Sequence, residues 1–275
     1  MDDPITDHYD RPDLIVRIET ALAEIGASPQ TVTAGQLAPI EEFHVGGRAA
    51  TEALFRELDV KPVERALDIG CGTGGTSRFA AANCGCVVEG LDLTDSFIRA
   101  GRTLNGWLKL DNKVHLHHAS ALDMPFEAGR FDVAWMFHVG MNIPARDVLF
   151  GEAFRVLKPG ARLLVYDLMR GEDETSPLSF PVPWSGTPDT SFVAPPREYE
   201  AAAQAAGFRV DRMAPRRDLA DAFFAHAAAQ AGKPRPPVSI ALLMGETAPD
   251  KFANLKRNYE TGRILPVAMF CSKPQ

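Results

Sequence analysis

An α/β fold with a mostly parallel sheet and helices on both faces is what this sequence predicts. Three observations carry that expectation. After Leu58, short apolar runs alternate with segments of helical periodicity, the rhythm of strand–helix–strand units. A glycine-rich turn, "GCGTGG" from Gly70 to Gly75, joins the first such run to the first such helix. A later run, "FDVAWMFHVG", is apolar at consecutive positions, as a strand buried on both faces must be.

The elements follow in order. Leu14, Ile15, Ile18, Leu22 and Ile25 recur at helical spacing, and Gly26 would stop that helix. A polar stretch leads to "PIEEFHVGGRAATEALFREL", where a Gly-Gly turn opens a second helix, Arg48 to Leu58. "RALDIG" reads as the first strand and Gly75 to Asn83 as its helix. "CVVEGLDL" is the second strand, followed by a helix N-capped at Thr94 or Asp95. "KVHLHHAS" and "FDVAWMFHVG" are the third and fourth strands. "RDVLFGEAFRVLKPG" is a helix closed by Pro159-Gly160, and "ARLLVYDL" is the fifth strand. The rhythm then breaks in a segment rich in Pro, Ser, Thr and acid, 169–196, too long for a plain connection and expected to be a lid. A helix over "REYEAAAQAAGF", a strand "RVDRMA" and a second insertion, 215–262, follow. That insertion predicts a helix from Arg216 to Ala231 and another near 239–259, interrupted at Gly245 and Pro249. "ILPVAMFCSKP" closes the sheet as a seventh strand. The expected organisation is an N-terminal helical cap, 1–58, and a domain, 59–275, whose two insertions cover the substrate pocket.

Composition narrows the class of function. The 275 residues are 45% hydrophobic and 24% charged, which suits a globular protein with a sizeable core. A net charge of -7 argues against a nucleic-acid surface, because polyanions are held by clustered Lys and Arg. There is no apolar run of eighteen or more residues that would span a membrane. The acidic start "MDDPITDHYD" lacks the basic and apolar pattern of a secretion signal. Cys71, Cys84, Cys86 and Cys271 show no paired CxxC spacing, so reduced thiols and a cytoplasmic location are expected. The alternate histidines of "HLHH" (His115, His117, His118) imply no third ligand, and no metal is expected. The partner expected is a small molecule, with a homodimer left open.

The glycine turn carries the chemistry. Glycines permit positive φ and close approach of the backbone to a ligand, and Gly70, Gly72 and Gly75 satisfy GxGxxG, a pattern shared with dinucleotide sites. Asp68, two residues earlier, argues against a pyrophosphate, which its charge would repel. It suits a ligand bearing an ammonium or sulfonium. Asp92, ending the second strand in "GLDLT", can accept hydrogen bonds from two ribose hydroxyls. One acid for a cation and one for a ribose describe S-adenosylmethionine.

"ALDIGCGTGG" resembles the first motif of class I S-adenosylmethionine-dependent methyltransferases, and "GLDLT", "SALDMPF", "FDVAWMFHVGMNI" and "RVLKPGARLLVYDL" are similar to that family's later motifs in the same order. The resemblance implies a Rossmann-like fold with a seven-stranded sheet and S-adenosylmethionine as cofactor. It implies that Asp68 and the backbone of Gly70, Cys71 and Gly72 embrace the methionine part, that Asp92 takes the ribose, and that Leu93 lies beside the adenine. Ser120, Ala121 and Leu122 would line the adenine edge. Ser120 stands where many relatives carry an acid, and its hydroxyl makes a weaker contact than a charge would. "EEFHVGGRAAT" resembles the entry segment of the sarcosine and dimethylglycine N-methyltransferase-like (methyltransferase type 11) group, in which Phe43, His44 and the Gly46-Gly47 turn would close over the methionine part. "EEF" departs from the usual "DQF".

Candidate catalytic groups lie at the carboxyl ends of strands, where open α/β sheets bind ligands. His138 is placed to take a proton from an acceptor, or else to hydrogen-bond the cofactor. Asn142 is placed to orient a substrate or to cap a turn. Tyr166 is a third candidate; it and Asp167 face opposite ways, so at most one enters the pocket. Met141 and Asn142, with Phe180 and Trp184 of the lid, are the expected substrate contacts; Phe180, Trp184 and Phe192 either cover the pocket or anchor the loop to the core. The leading acceptor class is a small amine such as an N-methylated glycine. The alternatives are C- or O-methylation of an apolar terpenoid or polyketide, and a protein that binds the cofactor but runs a reaction other than methyl transfer.

Overall fold

The computed structural model describes residues 8–275; the first seven residues of the expected cap lie outside it. The chain forms one seven-stranded sheet in the order β3-β2-β1-β4-β5-β7-β6, made of β1 (Arg65–Ile69), β2 (Val87–Asp92), β3 (Val114–His118), β4 (Phe131–Phe137), β5 (Leu157–Arg170), β6 (Arg209–Pro215) and β7 (Ile264–Ser272). β1 to β5 pair in parallel, and β7 runs antiparallel between β5 and β6. The chain winds outward from β1 to β2 and β3, then returns to lay β4 on β1's other side. Loops leaving β1 and β4 therefore diverge and open a crevice at their carboxyl ends, the switch point of a doubly wound sheet.

The helices are α1 (Leu14–Glu24), α2 (Ala34–Glu41), α3 (Gly47–Leu58), α4 (Gly75–Asn83), α5 (Asp95–Trp107), α6 (Arg146–Val156), α7 (Pro196–Ala205), α8 (Arg217–Ala229), the short α9 (Ala241–Met244) and α10 (Ala248–Glu260). Alternating strand side chains split the core. Leu67, Ile69, Ala134, Met136, Leu163 and Val165 pack under α6 and α7 on one side. Ala66, Val133, Trp135, Leu164 and Tyr166 pack under α3 and α4 on the other. A third cluster joins α1 and α2 to α5 through Leu14, Ile18, Leu37, Ile40, Phe97 and Leu104. The first two helices of the cap thus rest on α5, and α3 on the sheet, each by burying its own apolar stripe, which drives such packing at about 25 cal/mol per Å² of apolar surface.

Three local readings differ from the sequence expectation. Helix α2 occupies part of the stretch read as polar. Its signal is a capping box, in which Thr33 Oγ1 accepts from Gln36 N and Gln36 Oε1 from Thr33 N. Pro39 inside the helix, which removes a donor, masked it. Pro159 and Gly160 do not end a helix. They fall within β5, where a register shift between Phe131 and Val133 loops extra residues out as a bulge. Pro249 does not break α10 but sits in its first turn, where a missing amide costs nothing. Within the second insertion, Phe224 stacks on Tyr259 with centroids 5.1 Å apart.

Candidate active site

The crevice is a cavity of ≈ 500 Å³, within the range of small-molecule sites. The glycine turn forms one wall. The amides of Gly70 and Cys71 both donate to Leu91 O, at 2.8 and 2.9 Å, pulling the turn over the end of β2. Gly70 must be glycine there, since its φ is +70° and a Cβ would lie 2.4 Å from Val139 Cγ2. Gly72 also has positive φ, yet a Cβ on it would meet nothing within 4 Å: the turn is open toward the cavity at that point.

Asp68 lines the cavity at 1% exposure. Its Oδ2 accepts the hydroxyls of Thr76 and Ser77, each at 2.6 Å. Burial outweighs those bonds and raises its pKa to about 6. Asp92 accepts the amides of Gly72 (2.8 Å) and Thr94 (2.9 Å), one on each oxygen, and burial pushes its pKa upward too. Each oxygen keeps a second lone pair for a ligand hydroxyl. Leu93, Ser120, Ala121 and Leu122 continue the wall beyond Asp92. Ser120 Oγ accepts the Leu122 amide at 3.1 Å. Two histidines of "HLHH" are engaged elsewhere, His117 with Glu89 at 2.6 Å and His118 with Leu93 O at 3.0 Å.

His138 faces Phe43 and His44 in the same cavity. Its φ of +58° is a left-handed conformation that costs a non-glycine residue roughly 1 kcal/mol. The turn that follows holds it there. His138 N donates to Tyr166 O at 2.7 Å. Asn142 Nδ2 reaches the carbonyls of His138 and Val139 at 3.4 Å, and Asn142 Oδ1 accepts the Tyr9 hydroxyl at 3.2 Å. Burial drives the His138 pKa well below 6.5, and its Nε2 is buried without a partner among the described residues. His44, with ring centroids 6.0 Å away, is also held neutral by burial, at a pKa of about 4. The one hydroxyl proton of Thr51 goes to Glu42 Oε2 at 2.6 Å. His44 Nε2, 3.1 Å from both Gly47 O and Thr51 Oγ1, is therefore the protonated nitrogen.

Six expected site residues lie elsewhere. Tyr166 is fully buried and donates its hydroxyl to Val45 O at 3.0 Å, so it ties the strand to the cap rather than entering the cavity. Asp167, on the opposite face, accepts the Tyr199 hydroxyl at 2.9 Å and the Met141 amide at 3.1 Å. Met141 itself is core; its carbonyl takes the Phe192 amide at 2.8 Å. Trp184 is buried with Nε1 on Ser191 Oγ at 2.9 Å, and Phe180 packs against the main core. Of the three lid aromatics, Phe192 lines the cavity, its carbonyl held by Arg146. Gly46 supports helix α3, where a Cβ would meet Ala50 Cβ at 2.7 Å, and the Gly47 amide is spent on His44 O at 3.1 Å.

Sequence reasoning missed Tyr9, Glu41, Thr76, Phe97 and Leu243, all of which line the cavity. Thr76 had a signal, since it follows the glycine turn at the start of a helix. Tyr9 and Leu243 had none: each arrives from a segment remote from every motif.

Comparison with known proteins agrees with this architecture. Residues 67–165 match a family model described as a methyltransferase domain. Tocopherol O-methyltransferase of Arabidopsis thaliana is 32% identical over 126 residues, covering 44% of this chain and 36% of that protein. The chain thus spans little more than a third of that relative's length. Among solved structures, the [4+2]-cyclase SpnF superposes with a TM-score of 0.67 at 20% identity, covering 95% of this chain and 94% of the other. A putative sarcosine dimethylglycine methyltransferase from Galdieria sulphuraria gives 0.63 at 19% identity, covering 83% and 85%. The match thus assigns a methyltransferase domain to residues 67–165, within a seven-stranded sheet of class I methyltransferase architecture whose cavity lies at the switch point.

Proposed function

We propose that this chain transfers a methyl group from S-adenosylmethionine to a neutral, largely apolar small molecule. The observation that carries the choice of acceptor is the charge of the cavity wall. Among the described residues no lysine or arginine lines it; Phe43, Phe97, Phe137, Phe192 and Leu243 do. An N-methylated glycine would bring a carboxylate into that space without a cation to meet it, and an unpaired buried charge is costly. A terpenoid or polyketide acceptor, methylated on oxygen or carbon, would lose little on entering. The apolar alternative is therefore favoured over the amine.

The residues fit the cofactor on three counts. The turn opens at Gly72, Asp92 retains lone pairs for two ribose hydroxyls, and the acids Asp68 and Asp92 make the wall negative where a cationic ligand would lie. When bound, S-adenosylmethionine supplies an already activated methyl group. The protein's part is then mostly positioning, since a held near-attack geometry is worth roughly 7–11 kcal/mol. Phe192 and Phe43 exclude water and narrow the approach. Neutral His138, whose burial keeps it unprotonated at neutral pH, takes the proton that an acceptor hydroxyl loses as its oxygen gains the methyl.

The test is calorimetry with S-adenosylhomocysteine, followed by assays for its release with neutral phenols and terpenoid alcohols beside sarcosine and dimethylglycine. Release with the neutral acceptors and not with the amino acids is expected. Efficient methylation of dimethylglycine would overturn the acceptor assignment. Cofactor binding with no release across the whole panel would favour a reaction other than methyl transfer.

A further inference from the structure

We propose that Arg78 is a positioning residue for the cofactor, its guanidinium joining the glycine turn and helix α2 into one wall of the cavity; this rests on the reading of that cavity as the S-adenosylmethionine site. Arg78 lies on α4 with its side chain 2% exposed, and Glu41, the last residue of α2, is at 1%. Its donors are all spent. Nε donates to Glu41 Oε1 at 2.9 Å, and Nη2 to the same oxygen at 2.6 Å and to Thr73 O at 2.7 Å. Nη1 donates to Gly101 O at 3.2 Å and Asn105 Oδ1 at 2.8 Å. Asn105 in turn donates to Val114 O at 3.0 Å. One planar group therefore ties the cap, the turn, α5 and β3.

Two of the groups it holds, Glu41 and Thr73, line the cavity. The fit is close, because a Cβ on Gly75 would lie 2.5 Å from Glu41 O and Glu41 Cβ. Thr73 stands between Gly72 and Gly74, both at positive φ, where the backbone is otherwise free to change course. A buried ion pair is a weak stabiliser, because desolvation consumes most of its attraction, and an apolar pair of similar size is often as stable. What an apolar pair cannot do is donate to the Thr73 carbonyl. Replacing both partners thus removes the buried charge together with its counter-charge, and leaves the loss of the donors to the turn and α5 as what the variant reports.

Three proteins test this: wild type, Arg78→Lys, and the double variant Glu41→Leu with Arg78→Met. Wild-type calorimetry with S-adenosylhomocysteine checks the underlying reading, and an absence of binding there sinks both. Arg78→Lys keeps the charge but lacks the fork and should bind about tenfold more weakly. The double variant should melt below wild type, because Thr73 O, Gly101 O and Asn105 Oδ1 lose their donor, yet fold and bind about tenfold more weakly. Binding within a factor of about two of wild type in a folded double variant would show Arg78 to be scaffold alone and overturn the proposal. Hydrogen exchange on the wild type gives an answer that needs no variant. S-adenosylhomocysteine should slow exchange in the turn and in α2 together; protection of the turn without α2 would equally overturn it.

Discussion

The two halves of the cavity are built by opposite means. The half around Asp68 and Asp92 is made mostly by one stretch of chain, β1 through the start of α5, in which backbone amides, glycines and carboxylates engage each other at fixed short spacing, with Glu41 and the run from Ser120 to Leu122 completing it. The half around His138 is assembled from Tyr9, Phe43, Asn142, Phe192 and Leu243, side chains brought together from five separate segments. A wall of backbone is set by local geometry and can serve one ligand in many proteins. A wall of remote side chains can be changed one residue at a time, which is how one fold comes to host many acceptors.

Changes on the side-chain half should act on turnover and spare cofactor binding. His138→Gln should lower kcat by roughly 10²–10⁴-fold, the range for removal of a general base, with S-adenosylhomocysteine affinity unchanged. A kcat within about threefold of wild type would make His138 a hydrogen-bonding residue only. The backbone half should show the reverse. Asp68→Ala should weaken S-adenosylmethionine by roughly a hundredfold, as loss of a charged partner implies.

Asp68 adds a pH signature. Its pKa is raised to about 6 by burial, so it ionises, and attracts the sulfonium, as pH rises through 6. S-adenosylmethionine affinity should therefore strengthen between about pH 5 and pH 7, with the neutral sulfur of S-adenosylhomocysteine much less affected. Titration calorimetry across that window reads both, and identical pH profiles would remove Asp68 from the sulfonium. The same raised pKa means that Asp68 contributes stability that is present below its unfolded value and lost as pH rises through about 6. His44 has the opposite sign: its contribution is present above 6.5 and lost as pH falls through about 4. A rise in affinity between pH 5 and pH 7 is therefore not a stability artefact of Asp68, whose own contribution falls over that range.

The glycines sharpen the contrast within the backbone half. Gly70→Ala meets both positive φ and a methyl group 2.4 Å away, and should cost about 2 kcal/mol or more. Gly72→Ala meets the same φ penalty in open space and should cost about 1 kcal/mol, while intruding on the ligand. Paired denaturation and binding curves check the prediction that the first loses mainly stability and the second mainly affinity.

The difference in construction also decides what could be read from the sequence. Strand runs, the glycine turn and the acids at Asp68 and Asp92 were legible because their chemistry is local: period, spacing and residue type lie within a few positions. Helix α2 left a local signal in Thr33 and Gln36 that Pro39 obscured. Tyr9 and Leu243 left none, because their role is set by where tertiary packing delivers them. The same limit misplaced Trp184 and Phe180. A loop aromatic can turn outward to a ligand or inward to the core, and composition does not distinguish these.

Tyr166 tests that limit with the smallest effect. It stands at the carboxyl end of β5, beside the strand that delivers His138, and position along the sheet alone made it a candidate for chemistry. Its hydroxyl instead meets the Val45 carbonyl at 3.0 Å, in a fully buried setting, and Val45 follows the two residues, Phe43 and His44, that wall the cavity. Removing the hydroxyl leaves one carbonyl unpaired, so Tyr166→Phe should cost about 1 kcal/mol of stability. It should leave kcat and cofactor affinity within about twofold of wild type, the scatter expected of a residue that never touches the ligands. A denaturant midpoint measured beside a turnover assay separates the outcomes. Tenfold-slower turnover at unchanged stability would mean that the ring leaves Val45 during catalysis and that the boundary between scaffold and site runs one residue further along β5.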